Sequence, residues 1–454
     1  MPAEAVLSTK IRLATASPAT QSTRGETMAQ LERLARSAGE EKADFLLLPE
    51  AYLGGYPRGS DFGCKVGGRT EEGRDEFRRY FREAIDLGDV VGPAGAGGLG
   101  KWVKREPGGG GGGDEEAGSA VAGAKGKGKG DGTREELERV ARETGVFIVV
   151  GLVERTGGSL YCAVVYVCPR RGMIGKRRKV MPTGTERLIW AQGSPATLKA
   201  VSTTIRGIRV NLAAAICWEN YMPLLRQSLY AQNINLYFAP TADGRDTWLP
   251  LMRTIAIEGR CFVVSSNMCV RGGGGGGGAA AAAAGKPSHA RRGSHKTREG
   301  FEIATPAPGH GQGHGPAPKA RRNSVFDEDG NEIVLGSPVA SLPASEIETT
   351  TATGPFSSSS AVIEEEEEGE EKEEKEGPAA AFISRGGSSV VSPFGDVLAG
   401  PQWEDDEGVV YADVDLEDCV RGRLDLDAAG SYSRNDSFKL SVQGLDLSPL
   451  PYYS

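Results

Sequence analysis

The chain has 454 residues, 61 of them acidic and 53 basic, for a formal net charge of −8. The run Glu364–Glu376 (EEEEEGEEKEEKE) holds ten Glu and two Lys and carries that whole excess. The rest is near neutral, which excludes a global field for nucleic acid or an anionic membrane. Seven Cys without a C-x-x-C spacing argue against a disulfide framework or a zinc ribbon. The N-terminus has no long apolar signal core, and no apolar run reaches the ~18 residues of a membrane span. These features predict a cytoplasmic protein with no membrane or nucleic-acid partner.

Taken in chain order, Ile11–Ala14 (IRLA) reads as a buried strand. Thr23-x-x-Glu26 offers a capping box for a helix whose apolar stripe is Met28, Leu31, Ala35 and Ala38. Phe45–Leu48 (FLLL) is a second buried strand, stopped by Pro49 just before Glu50. Residues Pro93–Gly132 contain GGGGGG and KGKGKG and read as a low-complexity, disordered insertion. Thr133-x-x-Glu136 offers another capping box, followed by Leu137, Val140, Ala141 and Thr144 at helical spacing and a closing Gly145. Strand-like runs follow at Val146–Val150, Val164–Val167, Val210–Ile216, Ile234–Phe238 and Cys261–Ser265, with helix-like Met222–Gln232 and Leu249–Gly259 among them. Arg271–Ala380, with its Gly, Ala, Ser and Glu runs, is a second disordered insertion, and strands resume at Ser388–Ser392 and Val409–Val414. Without the insertions about 300 residues remain, enough for one α/β domain over residues 5–444 with a short tail, 445–454.

All four His (His289, His295, His310, His314) lie in the second insertion. The folded part then has none, which excludes Ser-His-Asp and Cys-His chemistry and His-ligated metals. Catalysis must run on carboxylate, amine and thiol. Three segments place such groups at strand ends. In FLLLPEAYLGGYPRG, Glu50 follows a buried strand, where partial desolvation raises a carboxylate's pKa and makes it a usable base. GKRRKVMPTGTERLIWAQG packs the four consecutive cations Lys176 to Lys179, and Glu186, around Pro182. In VNLAAAICWENYMPLLR, Cys217 sits at a strand-to-helix turn that is expected to expose its thiol near backbone N–H groups. Taken singly, each has an ordinary explanation: a loop charge, a basic surface turn, an inert core cysteine. Gly54, Gly55 and Gly59 are read as turn glycines, since no G-x-x-x-x-G-K-[ST] occurs.

Together, in the order Glu, Lys, Cys, the segments are far more specific. LLPEAYLGGYPRGSDFG, RRKVMPTGTERLIWAQG, AAAICWENYMPLLR, LYFAPTADGRDTW, IAIEGRCFVVSSN, GGSSVVSPFGDVLAGP and GVVYADVDL resemble the nitrilase branch of the carbon–nitrogen hydrolase superfamily across nearly everything outside the insertions. The resemblance implies a four-layer αββα sandwich, a homo-oligomer, and a small nitrile as substrate. It implies Glu50 as base, Lys179 as electrostatic partner, Cys217 as nucleophile and Glu186 as a second glutamate of the site. Arg177 stands where the family often has His, two residues before the lysine. Such a site needs no metal or organic cofactor. Tyr56, Trp190 and Trp218 are candidates for the pocket wall, with core packing as the ordinary alternative. An amidase or cyanide-hydrolysing enzyme of the same superfamily is the nearest alternative, and a non-catalytic scaffold the more distant one.

Overall fold

The computed structural model describes residues 9–88, 130–272 and 382–451, with four short strands between the last two segments. Most of both insertions expected from composition lies outside the described residues. Their borders are shifted by a few residues from those the sequence suggested: the described body ends at residue 88 and resumes at Gly130, and ends again at Gly272 and resumes at Phe382. A Cβ on Gly130 would meet Asp86 O at 2.3 Å, so only glycine allows this approach.

One compact unit comprises residues 1–283 and 376–454. It is built on two sheets. The first runs, in spatial order, β17 (Val409–Asp415), β1 (Lys10–Ala16), β2 (Phe45–Leu47), β3 (Phe147–Thr156), β4 (Ser159–Cys168), β5 (Gly172–Arg178). The second runs β10 (Cys269–Arg271), β15 (Phe382–Val391), β9 (Phe262–Asn267), β8 (Leu236–Thr241), β7 (Ile208–Ala214), β6 (Val201–Ile205), with β16 (Val397–Trp403) also paired to β15. The centre of each sheet is parallel: β1, β2 and β3 in one, β7, β8 and β9 in the other. Parallel strands covered on both faces lose the alternation of a half-exposed strand, which is why FLLL reads as uniformly apolar. A second unit, 284–375, contributes two antiparallel hairpins, β11 (Ser294–Lys296) with β12 (Glu302–Ala304) and β13 (Ser324–Phe326) with β14 (Glu332–Val334).

Helices α1 (Arg24–Glu40) and α3 (Thr133–Thr144) bury Leu31, Ala35, Leu137 and Val140 with Leu46, Ile148 and Val165, on the outer face of the first sheet. Helices α4 (Pro223–Tyr230) and α5 (Trp248–Gly259) do the same on the second with Ala213, Tyr237 and Val263. The inner faces share one core, in which Leu47 and Val149 pack with Leu212, Phe238 and Val264. This is the expected αββα order, set by which parity of each strand is apolar toward which neighbour. A remaining helix, α2 (Glu71–Glu83), follows the loop after Glu50 and buries Tyr80, and α6 (Glu417–Arg421) follows β17.

The capping box of α1 forms as expected: Glu26 N donates to Thr23 Oγ1 at 3.2 Å and Thr23 N to Glu26 Oε2 at 3.0 Å. The one expected for α3 does not. Thr133 is already helical, Gly132 (φ +90°) is the N-cap, and Asp131 Oδ1 instead accepts from Thr133 N at 3.0 Å. The left-handed C-cap at Gly145 is as expected. The residues expected as a C-terminal tail are tied down as far as Pro451: Asn233 Nδ2 donates to Leu450 O and Asn211 Nδ2 to Pro451 O, both at 2.9 Å. No helix among the described residues is long and apolar enough to cross a membrane.

Candidate active site

Four segments converge at one end of the inter-sheet core. Pro49 ends the β2 ladder, and Ala51 takes a left-handed φ of +50°, which fixes Glu50 between them. The neighbouring strand must come very close here. A Cβ on Gly151 would lie 2.3 Å from Pro49 O and 2.7 Å from Glu50 Cα, so β3 needs glycine at that point. Glu50 is fully buried.

Alternation at the end of β5 sorts the four cations into two pairs. Lys176 and Arg178 bond to the buried Glu154, whose carboxyl is held at about 2 because the two cations outweigh the burial that would raise it. Arg177 and Lys179 face the other way, into the site. The segment is therefore no surface turn: all four cations are buried.

Lys179 is tied to both glutamates. Its Nζ lies 2.8 Å from Glu50 Oε1 and 3.0 and 2.8 Å from Glu186 Oε1 and Oε2. Glu186 is held in a 3-10 turn, Gly184–Leu188, where Thr183 N donates to its Oε2 at 2.7 Å.

Cys217 opens another 3-10 turn, Cys217–Tyr221, just past β7. It sits at φ +52°, a left-handed conformation that a side chain rarely adopts and that costs of order 1–3 kcal/mol. The surroundings enforce it: Asn220 Nδ2 donates to Ala215 O at 3.0 Å and Cys217 O at 2.7 Å, and Tyr237 OH donates to Asn220 Oδ1 at 2.8 Å. Cys217 is only 4% exposed as a residue, so the expectation of an exposed cysteine is corrected. The strand end lies in the inter-sheet core beside Glu50 and Glu186 rather than open to solvent. Carboxylate oxygens of Glu50 and Glu186 and Sγ of Cys217 all lie within 4.8 Å of one another.

Burial, then Glu186, raises the Glu50 carboxyl above the usual range, while Lys179 pulls it down. Burial and Glu50 push the Cys217 thiol well up. Burial alone would depress Lys179, but Glu50, Cys217 and Glu186 more than offset it and keep the amine charged. The three-residue cluster Glu50, Glu186, Cys217 has a donor set that suits a cation. Lys179 already supplies one, with its ammonium on both carboxylates, so a metal there would have to displace it.

The three aromatic candidates divide. Tyr56 OH donates to Glu186 Oε1 at 2.9 Å, and its ring meets Trp190 edge-on at 5.6 Å. Trp190 is buried, donates to Tyr80 OH at 3.2 Å, and lies 5.7 Å from Lys179 Nζ. Trp218 is 37% exposed, donates to Asp243 Oδ2 at 3.1 Å, and is covered by the Arg245 guanidinium at 4.6 Å.

Sequence reasoning missed Glu219. It accepts from Ile216 N (2.8 Å), Val180 N (2.6 Å) and Arg177 Nη2 (2.6 Å), stitching the chain beside Lys179 to the chain beside Cys217. The available signal was a Glu within the apolar CWEN turn, two residues after the thiol. Cys162 was also passed over; its Sγ donates to Glu50 Oε1 at 3.5 Å.

This fold and this cluster coincide with a sequence match. The chain belongs to the carbon–nitrogen hydrolase family, whose profile matches residues 10–299. A nitrilase of Bradyrhizobium diazoefficiens is 34% identical over 410 residues, 90% of this chain and 84% of that protein. An arylacetonitrilase of Trametes versicolor is 33% identical over 92% of each chain. An aliphatic nitrilase of Sinorhizobium fredii is 31% identical over 92% of this chain and 90% of that one. Within the family the chain thus falls in the nitrilase branch.

Proposed function

We propose that the protein hydrolyses a small organic nitrile to the carboxylic acid and ammonia, with Cys217 as nucleophile, Glu50 as base, and Lys179 and Glu186 as electrostatic partners. The observation that carries this reading is the ammonium of Lys179 held on both Glu50 and Glu186 beside the Cys217 sulfur. Glu50 takes the thiol proton as sulfur bonds to the nitrile carbon. Charge then develops on nitrogen, opposite the Lys179 ammonium and the backbone N–H of Trp218. Nitrogen takes the proton back and a thioimidate forms. Water adds as Glu50 accepts one of its protons; that proton and the one on the new hydroxyl both pass to nitrogen, ammonia leaves, and a thioester remains. A second water, activated in the same way, breaks the thioester, giving the acid and restoring the thiol. Glu186 orients Lys179, and Tyr56, bonded to Glu186, walls the pocket with Trp190 and Trp218. No metal or organic cofactor enters these steps. The reading also takes the protein as a cytoplasmic homo-oligomer.

The test is ammonia release from aliphatic, aryl and arylaceto-nitriles, beside the matching amides and cyanide, with Cys217→Ala as control. Turnover of nitriles that is lost in the variant supports the reading. Turnover of amides or cyanide alone replaces it with an amidase or a cyanide hydrolase, and no turnover of any, with Cys217 inert to thiol reagents, leaves a scaffold.

A further inference from the structure

Building on that reading, we propose that Cys162 is a positioning residue of the site, holding Glu50 through its thiol and Lys179 through its carbonyl so that one Glu50 oxygen stays free for the Cys217 proton. Cys162 lies on β4 between β3 and β5, opposite Val153 on one side. On the other, β5 pairs Arg178 with Ala163, so the next residue, Lys179, falls beside Cys162, and Lys179 N donates to Cys162 O at 2.7 Å. The Cys162 side chain points into the inter-sheet core, where it is fully buried, and Sγ donates to Glu50 Oε1 at 3.5 Å, an ordinary length for sulfur. That same oxygen accepts from Lys179 Nζ at 2.8 Å. Two donors thus fix Oε1, whereas Glu50 Oε2, fully buried, has no other hydrogen-bond partner among the described residues, with the Cys217 thiol, which favours the ionised Glu50, the group left to reach it. An unpartnered carboxylate oxygen in such a place is costly and so calls for a role. It is the proton acceptor that Cys217 requires.

Burial and the nearby Glu50 carboxylate hold the Cys162 thiol well above its ordinary range, so it keeps its proton and stays a donor. The other groups facing Glu50 are Lys179 from the end of β5, Glu186 from its 3-10 turn, Cys217 from the end of β7, Tyr56 from the following loop and Tyr80 from α2. All are retained when only Cys162 is changed.

The ordinary alternative is a core cysteine that merely fills space, which valine would fill as well. The experiment compares the full chain with Cys162→Val, Cys162→Ala and Cys162→Ser. One readout is the rate at which iodoacetamide alkylates Cys217 as a function of pH, followed by peptide mass spectrometry. Sulfur bonds to the methylene carbon, iodide leaves, and the thiol proton goes to Glu50. The other is kcat and KM for phenylacetonitrile. A donor to the charged form of Glu50 lowers its pKa, so Cys162→Val and Cys162→Ala should shift the acid limb of alkylation upward by about half a unit. They should lower kcat about tenfold with KM little changed, and Cys162→Ser should restore both. An unshifted limb in the Val and Ala variants with the fold retained, or a Ser variant as impaired as Val, overturns the proposal. Should the unaltered chain turn over no nitrile, the proposed function fails while the alkylation arm still decides the role of Cys162.

Discussion

Lys179→Ala separates an electrostatic role for the amine from a structural one. In the parent, Nζ makes three contacts of 2.8–3.0 Å to two buried carboxylates. Truncation removes the cation that faces the nitrogen as charge develops there. Loss of one such preorganised donor costs about 3 kcal/mol in the barrier. At about 1.4 kcal/mol per decade, that is a fall of roughly a hundredfold in the rate of Cys217 adduct formation. The same change also acts on stability. Lys179 is the largest contribution that pulls Glu50 down, so without it the Glu50 carboxyl rises further above the unfolded range. A carboxyl with a raised folded pKa is stabilising to the folded state in its protonated form, at low pH. That contribution is lost as pH climbs from the unfolded value through the folded one. The thermal midpoint of the variant, measured against the parent between about pH 5 and about pH 8, should therefore fall further behind as pH rises. Lys179→Arg should not rescue the rate, because a planar guanidinium does not fit where a compact ammonium bridges two carboxylates. The assay is single-turnover kinetics with mass spectrometry of the Cys217 adduct, beside thermal melts across pH. Parent-like adduct formation in Lys179→Ala, or a midpoint deficit independent of pH, refutes the reasoning.

Cys217→Ala and Cys217→Ser should abolish turnover with the fold intact; residual activity that vanished only on Cys162→Ala would move the nucleophile. Glu50→Gln keeps the shape but removes the base, so both adduct formation and thioester release should stall in the same mass-spectrometric assay, and normal release would exclude Glu50 as base. Activity of the parent should rise on an acid limb lying above the ordinary carboxylate range, since burial raises Glu50. Glu219→Gln leaves the fully buried Arg177 without its anion and should cost about 3–5 kcal/mol by denaturant titration. A loss under about 1 kcal/mol would show that the contact contributes little. Residues 273–381 should be replaceable by a two-residue turn without loss of the folded state, because Arg271 and Phe382 are ladder partners of β10 and β15 and their strands already lie antiparallel. Loss of the cooperative melt in the shortened chain would contradict this.

How far the sequence carried depended on whether a feature was local. The strand ends that present Glu50 and Cys217 were legible because each combines an apolar run with a stop or a turn within a few residues, whereas the strand before Lys179 holds three cations and Lys179 was singled out by the family resemblance. The αββα layering was carried by the family resemblance; the uniform apolar runs said only that the sheets are covered on both faces. Partnerships across the sheets were not legible. Arg177, Arg178 and Lys179 are consecutive, and sequence spacing alone does not say which pairs with Glu154, which with Glu219 and which with Glu50. That choice comes from strand parity and from the register of β4 with β5. The α3 cap was misjudged for a related reason. Thr133-x-x-Glu136 has the right spacing, yet Asp131 and the left-handed Gly132 start the helix one residue earlier. The exposure of Cys217 was misjudged because residues far away in the chain, Glu50 and Glu186 among them, lie beside it in the inter-sheet core.

On the proposed function, the charge balance of the cluster explains how a thiol with so high a pKa can serve as a nucleophile with a carboxylate as its base. With Glu50 and Glu186 ionised, Lys179 protonated and Cys217 as thiol, the cluster carries one net negative charge. Moving the proton from Cys217 to Glu50 leaves that charge unchanged. Burial penalises a thiolate strongly, but it also raises Glu50, so what governs the transfer is the difference between the two groups rather than the height of either. Lys179 lies against Glu50 and favours the anion of both partners. Proton transfer and carbon–sulfur bond formation can then proceed together, with charge passing from carboxylate to sulfur to the substrate nitrogen under one fixed ammonium. Histidine in place of Glu50 would begin neutral and end cationic beside Lys179, and that like-charge penalty in a buried site would oppose the step. A carboxylate base and an ammonium partner are thus mutually required by the burial of this site.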